Sequence, residues 1–247
     1  MSLITAGKCD IGRKRKTNQD SIYLNPEKNI FIVADGMGGH NGGDIASAMA
    51  VKHVPDFLIQ HYDMDPIQAS IRSIQTANQA ILDRGKVDPK LEGMGTTVVT
   101  LYFKGQNLYC SNVGDSRTYL INKKRLFQLS KDHSLVQEKL NMGIYDREQA
   151  AKDPQKNVLV RTVGFDQEVD VDVWTYKVSK NDIFLGCSDG LHGKVSDEDI
   201  IFIINKFIPD PSKATKKDIE HCAQYLVDQA NRNGGNDNIS VIIVLAQ

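Results

Sequence analysis

Apolar positions along the chain fall into two textures: short unbroken runs, and longer stretches where they recur every three or four residues. Residues 30–34 (IFIVA) form an unbroken run of the kind carried by a strand buried on both faces, and residues 20–24 just before them are also strand-like. From about Asp44 to Gln60 the texture changes, with Ala48, Val51, Val54 and Leu58 recurring at helical steps. Pro66 suits the first turn of a second helix reaching about Arg84, with Ile67, Ile71, Ile74 and Ile81 as its apolar stripe.

Residues 96–120 return to β-rich runs, TTVVTLYF, NLYCSNVG and SRTYLI, separated by turns such as Lys104-Gly105-Gln106, which predicts an antiparallel meander. Residues 130–164 are charged and of helix–loop character, and Pro154 breaks any long helix there. Strands are predicted again over 169–178 and 183–187, helices near 196–207 and 213–232, and a closing buried strand over 239–245 (ISVIIVL). Strands grouped with strands and helices with helices imply an α+β sandwich, because each sheet needs a helical layer over its apolar face. There is no internal repeat or Pro/Gly/Ser-rich linker, so residues 1–247 read as a single domain with an inserted subdomain.

Composition narrows the function classes. The 247 residues carry 30 Lys and Arg against 31 Asp and Glu, a net charge of −1, which disfavours nucleic-acid binding because displacing counterions from phosphates calls for a basic face. No run approaches the ~18 apolar residues of a membrane span, and MSLITAGKCD lacks the pattern of a secretory signal, so a cytoplasmic location is expected. Cys9, Cys110, Cys187 and Cys222 are widely spaced with no C-x-x-C pair, which argues against zinc and disulfides and for buried thiols.

The aspartates stand in informative places. Asp35 ends FIVA and opens Asp35-Gly36-Met37-Gly38-Gly39, Asp189 follows IFLGCS, Asp115 follows LYCSNVG, and Asp237 precedes NISVIIVL. Four buried-type strands each present a carboxylate at one tip. If the tips meet, the charges cannot all stay ionised without a compensating cation, and an oxygen-only donor set selects Mg²⁺ or Mn²⁺ over zinc. Taken singly, Asp-Gly between apolar runs is an ordinary hairpin signal. After Asp35, however, the chain turns glycine-rich and then helical, and no partner strand returns at once.

Upstream, residues 10–20 (DIGRKRKTNQD) hold a basic run whose ordinary reading is a solvated loop. Beside a carboxylate–metal site an arginine gains a task, since its planar fork can hold two phosphate oxygens. Cys187, within an apolar run, reads as core and lacks a phosphate-binding loop.

In order along the chain, D-x-G-x-x-R-x-x-N-E/Q-D (10–20), FIVADGMGGH (31–40), GTT (95–97), VGDSR (113–117), DHS (132–134), N-x-x-x-R-x-x-G (157–164), SDGL (188–191) and GGNDNIS (234–240) resemble the metal-dependent serine/threonine protein phosphatase family (PPM, type 2C), in its compact stand-alone bacterial form. The resemblance implies a four-layer α-β-β-α sandwich of two antiparallel sheets, with a flap at about 139–164. It implies two central Mn²⁺ or Mg²⁺ ions bridged by Asp35, one also bound by the Gly36 carbonyl and the other by Asp189 and Asp237. Asp20 would act through water, Asp115 with Asp189 would take a third ion, and Arg15 would bind the substrate phosphate. The implied substrates are phosphoserine and phosphothreonine proteins of a cognate kinase, hydrolysed by activated water, with no nucleic-acid or membrane partner and a monomeric enzyme.

Two positions depart from the family pattern. Where some members carry a histidine two residues after the bridging aspartate, proposed as general acid, this chain has Met37; His40, three residues on, reads as a loop or capping histidine. The flap's frequent His-Pro is Asp153-Pro154. A phosphoprotein-binding pseudoenzyme would be marked by loss of Asp35, Asp189 or Asp237, and none is lost; a phosphoesterase for small molecules stays open on sequence alone.

Overall fold

The computed structural model describes residues 2–37 and 42–247; His40 lies outside the described residues. The chain runs through β1 (Leu3–Asp10), β2 (Asp20–Asn25) and β3 (Ile30–Met37), then helices α1 (Gly43–Gln60) and α2 (Pro66–Val87). The strands β4 (Gly95–Thr96), β5 (Val98–Lys104), β6 (Asn107–Val113), β7 (Arg117–Asn122) and β8 (Arg125–Gln128) follow, then α3 (Leu135–Asn141) and α4 (Arg147–Lys152). The remainder is β9 (Asp172–Lys177), β10 (Ile183–Cys187), α5 (Asp189–His192), α6 (Asp197–Phe207), α7 (Lys216–Arg232) and β11 (Ile239–Ala246).

Two antiparallel sheets result, one ordered β1-β11-β10-β7-β8 and the other β2-β3-β5-β6-β9, with β4 paired to β3. The unbroken apolar runs are explained by burial on both faces. In β3, Phe31 and Val33 enter the core between the sheets, while Ile30, Ile32 and Ala34 pack under α1 and α2. In β11, Ile242 and Val244 face inward, and Val241, Ile243 and Leu245 pack under α6 and α7. Each such Phe, Val, Ile or Leu side chain contributes about 1.5–3 kcal/mol by burial. The order is therefore helix, sheet, sheet, helix, the four-layer α+β arrangement.

The predicted meander is corrected: β5 and β6 pair with each other, but β7 belongs to the opposite sheet, beside β10. The chain crosses at Gly114, whose φ of 102° is a left-handed conformation that a side chain would strain. β7 can join either sheet by its own pattern, since Leu120 suits the inter-sheet core and Tyr119 and Ile121 the helical side. The helical stripes shift as well. In α1 the buried seam is Ala46, Ala50, Val54 and Leu58, with Ala48 exposed and Val51 half-buried; in α2 it begins at Ala69 rather than at the 39% exposed Ile67. Small residues face inward because the two helices pack closely on each other and on the sheet.

Strand β1, not predicted, pairs along its whole length with β11. Cys110, Cys187 and Cys222 are buried free thiols, whereas Cys9 is only half-buried. In the segment 139–164, α3 and α4 sit above the sheet edge, tied down by bridges from Ser134 to Leu159 and from Thr96 to Val163. Among the described residues no helix is long and apolar enough to cross a membrane.

Candidate active site

The period-2 alternation that puts Phe31 and Val33 between the sheets continues to Asp35, and the one that puts Ile22 and Leu24 there continues back to Asp20. The inter-sheet layer, apolar along most of its length, thus ends in carboxylates. Asp20 and Asp35 are directly opposite each other in the β2–β3 ladder, where like charges destabilise a sheet. Asp189 opens α5 immediately after β10, and its carboxyl interacts electrostatically with that of Asp35. Asp237 stands two residues before β11.

The electrostatics follow from this crowding. Loss of water, then the charges of Asp20, Asp189, Asp115 and Asp237, raise the Asp35 carboxyl well above its ordinary value of 3.8. Asp20, 7% exposed, is raised to about 7, chiefly by burial; the hydroxyls of Ser240 and Ser188 oppose the rise, and the charges of Asp189 and Asp237 add to it. Asp189 is raised by burial and by Asp237, and Asp115 is raised to about 8 by burial, Asp189 and Asp132. Oδ1 of Asp20 and Oδ1 of Asp189 are buried without a hydrogen-bond partner among the described residues.

Backbone around Asp35 is held by the GTT segment. Asp35 N–H donates to Thr97 Oγ1 at 3.0 Å, and the Asp35 carbonyl accepts from Thr97 N at 2.8 Å and Thr96 Oγ1 at 2.9 Å. Thr97 Oγ1 is in turn 2.7 Å from Ser116 Oγ, beside Asp115. Gly36 is required for space: a Cβ there would lie 2.0 Å from the Gly43 carbonyl oxygen and 2.5 Å from that of Gln19.

Arg15 Nη2 donates to Asp237 Oδ2 at 2.7 Å, with the side chains 49% and 33% exposed. Its loop is fastened from three sides. Asp10 Oδ1 accepts from Gly12 N and Asn231 Nδ2, the Gly235 carbonyl accepts from Arg13 N and Lys14 N, and Asn238 bridges the rest. Asn238 Oδ1 accepts from Gln19 N at 2.8 Å, while its Nδ2 donates to the carbonyls of Ile11 at 2.9 Å and Thr17 at 3.0 Å.

Two histidines clamp the turn that carries Asp115. Gly114 N–H donates to His133 Nδ1 at 3.2 Å, which leaves the ring proton on Nε2, 3.2 Å from Asp172 Oδ2; His192 Nε2 donates to the Asp115 carbonyl at 3.0 Å. Burial lowers both imidazoles, His192 to about 3, so they act as neutral posts. Arg117 grips Asp132 through Nε at 2.9 Å and Nη2 at 2.7 Å.

Each chain segment singled out in the sequence thus reaches one edge of the sandwich, with Asp20, Asp35, Asp115, Asp189 and Asp237 electrostatically linked and Arg15 above Asp237. Thr96, Thr97, Ser188, Asn238, His133 and His192 carried no assigned role in the sequence, although all except His192 lie inside the quoted motifs. Met37, half-buried, offers no proton. Among the described residues no cluster of three or more Asp, Glu, His or Cys side chains is preformed to hold a metal ion. The open, oxygen-rich arrangement suits a hard divalent ion that keeps several waters and takes only one or two carboxylates. A cavity of about 580 Å³ opens from Asp115, Asp189 and Asp237 toward α3 and α4.

Comparison with known proteins gives the same direction. The model of the family described as protein phosphatase 2C matches residues 10–139. The chain is 36% identical over 242 residues to the serine/threonine phosphatase stp of Listeria welshimeri, spanning 95% of this chain and 92% of that protein. Its fold is similar to the crystal structure of the Mycobacterium tuberculosis serine/threonine phosphatase PstP/Ppp, with a TM-score of 0.90 and 31% identity over all of both chains. It is also similar to the catalytic domain of PstP in complex with 2 manganese ions, with a TM-score of 0.86 and 30% identity over 99% of each chain.

Proposed function

Because the chain belongs to the protein phosphatase 2C family and is a metal-dependent serine/threonine protein phosphatase, we propose that its chemistry takes place at the carboxylate edge, with Asp35, the Gly36 carbonyl, Asp189 and Asp237 holding two divalent cations. The residues present fit that role. Oδ1 of Asp20 and Oδ1 of Asp189 are buried and without partners among the described residues, the donors are all oxygen, and Asp20 faces Asp35 with a charge conflict that a cation relieves. In this reading the ions are Mn²⁺ or Mg²⁺, as with the manganese-bound PstP domain, and Asp115 with Asp189 takes a third.

Bound there, a pair of hard cations lowers the pKa of water and offsets charge developing on a phosphoryl group. The chain itself supplies position. Ser188 Oγ donates to Asp20 Oδ2 at 2.7 Å, which orients that carboxylate and leaves Oδ1 to accept from an ordered water. The fork of Arg15, half exposed beside Asp237, binds two oxygens of the substrate phosphate. No side-chain nucleophile takes part, since Cys187 lies in the core under the helices with its thiol pushed up to about 12 by burial. The substrates in this reading are phosphoserine and phosphothreonine proteins made by a cognate kinase.

The observation that carries the reading is the convergence of Asp20, Asp35, Asp189 and Asp237 with two buried oxygens unsatisfied. The test is Mn²⁺-dependent hydrolysis of a phosphothreonine peptide by the wild type and by Asp35→Asn. Hydrolysis abolished in a variant with a wild-type circular dichroism spectrum is the expected result, and undiminished turnover would refute the assignment.

A further inference from the structure

The segment 139–164 carries five cations against three carboxylates. Within it, Lys139 pairs with Asp153 at 3.0 Å, Lys152 with Glu148 at 2.6 Å, and Arg161 reaches Asp172 at 3.1 Å. Asp146 accepts from Gln149 N as the cap of α4. Arg147 and Lys156 are left over. Both line the cavity beside Asp189, and Lys194, just after α5, lines its other side. None of the three has a carboxylate or hydrogen-bond partner for its side chain among the described residues, whereas Arg117, in the same wall, is engaged by Asp132 and by the Tyr119 hydroxyl. Helix stability does not account for Arg147, which stands in the first turn of α4 where a cation opposes the helix dipole.

We propose that this cavity takes a second anionic group of the same phosphopeptide, an acidic side chain or another phosphate, held by Arg147, Lys156 and Lys194. The proposal rests on the phosphatase reading above. A volume of about 580 Å³ leaves room for a side chain or a phosphate group. The cavity is also lined by Asp237, the partner of Arg15, and an extended peptide rising about 3.3 Å per residue spans roughly 7–13 Å over two to four residues from the reacting phosphate. Cations with no internal partner meet such a group without first breaking an ion pair, so it gains the whole interaction.

The test compares one phosphothreonine peptide in three forms with the Mn²⁺-loaded enzyme: neutral flanks, glutamates two to four residues from the phosphothreonine on either side, and a second phosphothreonine at those positions. The expected result is a kcat/KM for the two anionic forms at least about fivefold above the neutral form, expressed in KM and shrinking as salt rises. In Arg147→Gln/Lys156→Gln/Lys194→Gln that excess disappears; the three single variants, each expected to lose part of it, guard against misfolding of the triple. Preference for the doubly phosphorylated form over the glutamate form identifies phosphate as the occupant, and equal preference identifies a general acidic subsite. Equal kcat/KM for neutral and anionic peptides in the wild type, or an excess retained in the triple variant, would overturn the subsite and leave the phosphatase reading standing. Failure to hydrolyse any of the three peptides would overturn both.

Discussion

The guanidinium of Arg15 lies 2.7 Å from Oδ2 of Asp237, although 222 positions separate the two residues in the chain. A group suited to an anionic substrate is here the nearest positive charge to a carboxylate suited to a metal. Its guanidinium pKa is raised, first by this hydrogen bond, so it stays charged throughout the working range.

Arg15→Ala removes a charged hydrogen-bonding group from the substrate side. KM for a phosphothreonine peptide should rise about tenfold or more, with kcat changed far less. Steady-state kinetics decide it, and a loss confined to kcat would reassign the residue. Cation affinity, read by calorimetric titration with Mn²⁺, should if anything tighten, because a competitor for Asp237 has gone.

Proton uptake should make the cation-free protein sensitive to pH in a specific direction. Asp20 and Asp115 hold protons up to about 7 and about 8 in the folded chain, against 3.8 for an ordinary carboxyl. Between about pH 4 and those values the folded state binds more protons than the unfolded one, so stability falls as pH rises through that window and levels off above it. In chelator, Tm should be higher at about pH 5 than at about pH 8, and Mn²⁺ should reverse most of the difference by replacing the protons. A chelated Tm that climbs across the window would contradict the crowding.

Asn238→Ala deletes the partner of Gln19 N–H and of the Ile11 and Thr17 carbonyls. Leaving such groups unsatisfied costs about 1–3 kcal/mol, measurable as a lower urea midpoint. Because the same bonds hold the Arg15 loop against the strand that follows Asp237, KM should rise as well, and an unchanged KM would show that the loop is positioned by other contacts.

Asp115→Ala should leave the central pair of cations bound while activity falls about 10–100-fold, the usual scale for removing a supporting group from a metal site. Titration with Mn²⁺ alongside phosphopeptide turnover separates the two effects. Loss of all cation binding would place Asp115 in the central pair instead.

Much of this site is legible in the sequence. Apolar runs ending in Asp35 and Asp189 and one opening just after Asp237 signalled carboxylates at strand tips, and the strict alternation along β3 sends Asp35 to the face of Phe31 and Val33. Oxygen donors without cysteine or histidine excluded zinc for the same local reason. Other features escaped. β1 reads LITAGKCD, too mixed in polarity to announce a strand, and exists because β11 offers it a full edge to pair with. The crossing of β7 to the other sheet depends on which partner accepts its hydrogen bonds, not on its own residues.

What the sequence determined alone was the chemistry of the donors and the face each occupies, because side-chain direction in a strand is set by a two-residue period. Tertiary structure decided which strands meet, that Asn238 fastens the Arg15 loop, and that Arg147, Lys156 and Lys194 are left without partners among the described residues beside one cavity. Those outcomes are contacts between residues up to more than two hundred positions apart, and only the closing of two sheets on a common core brings such residues within hydrogen-bonding range.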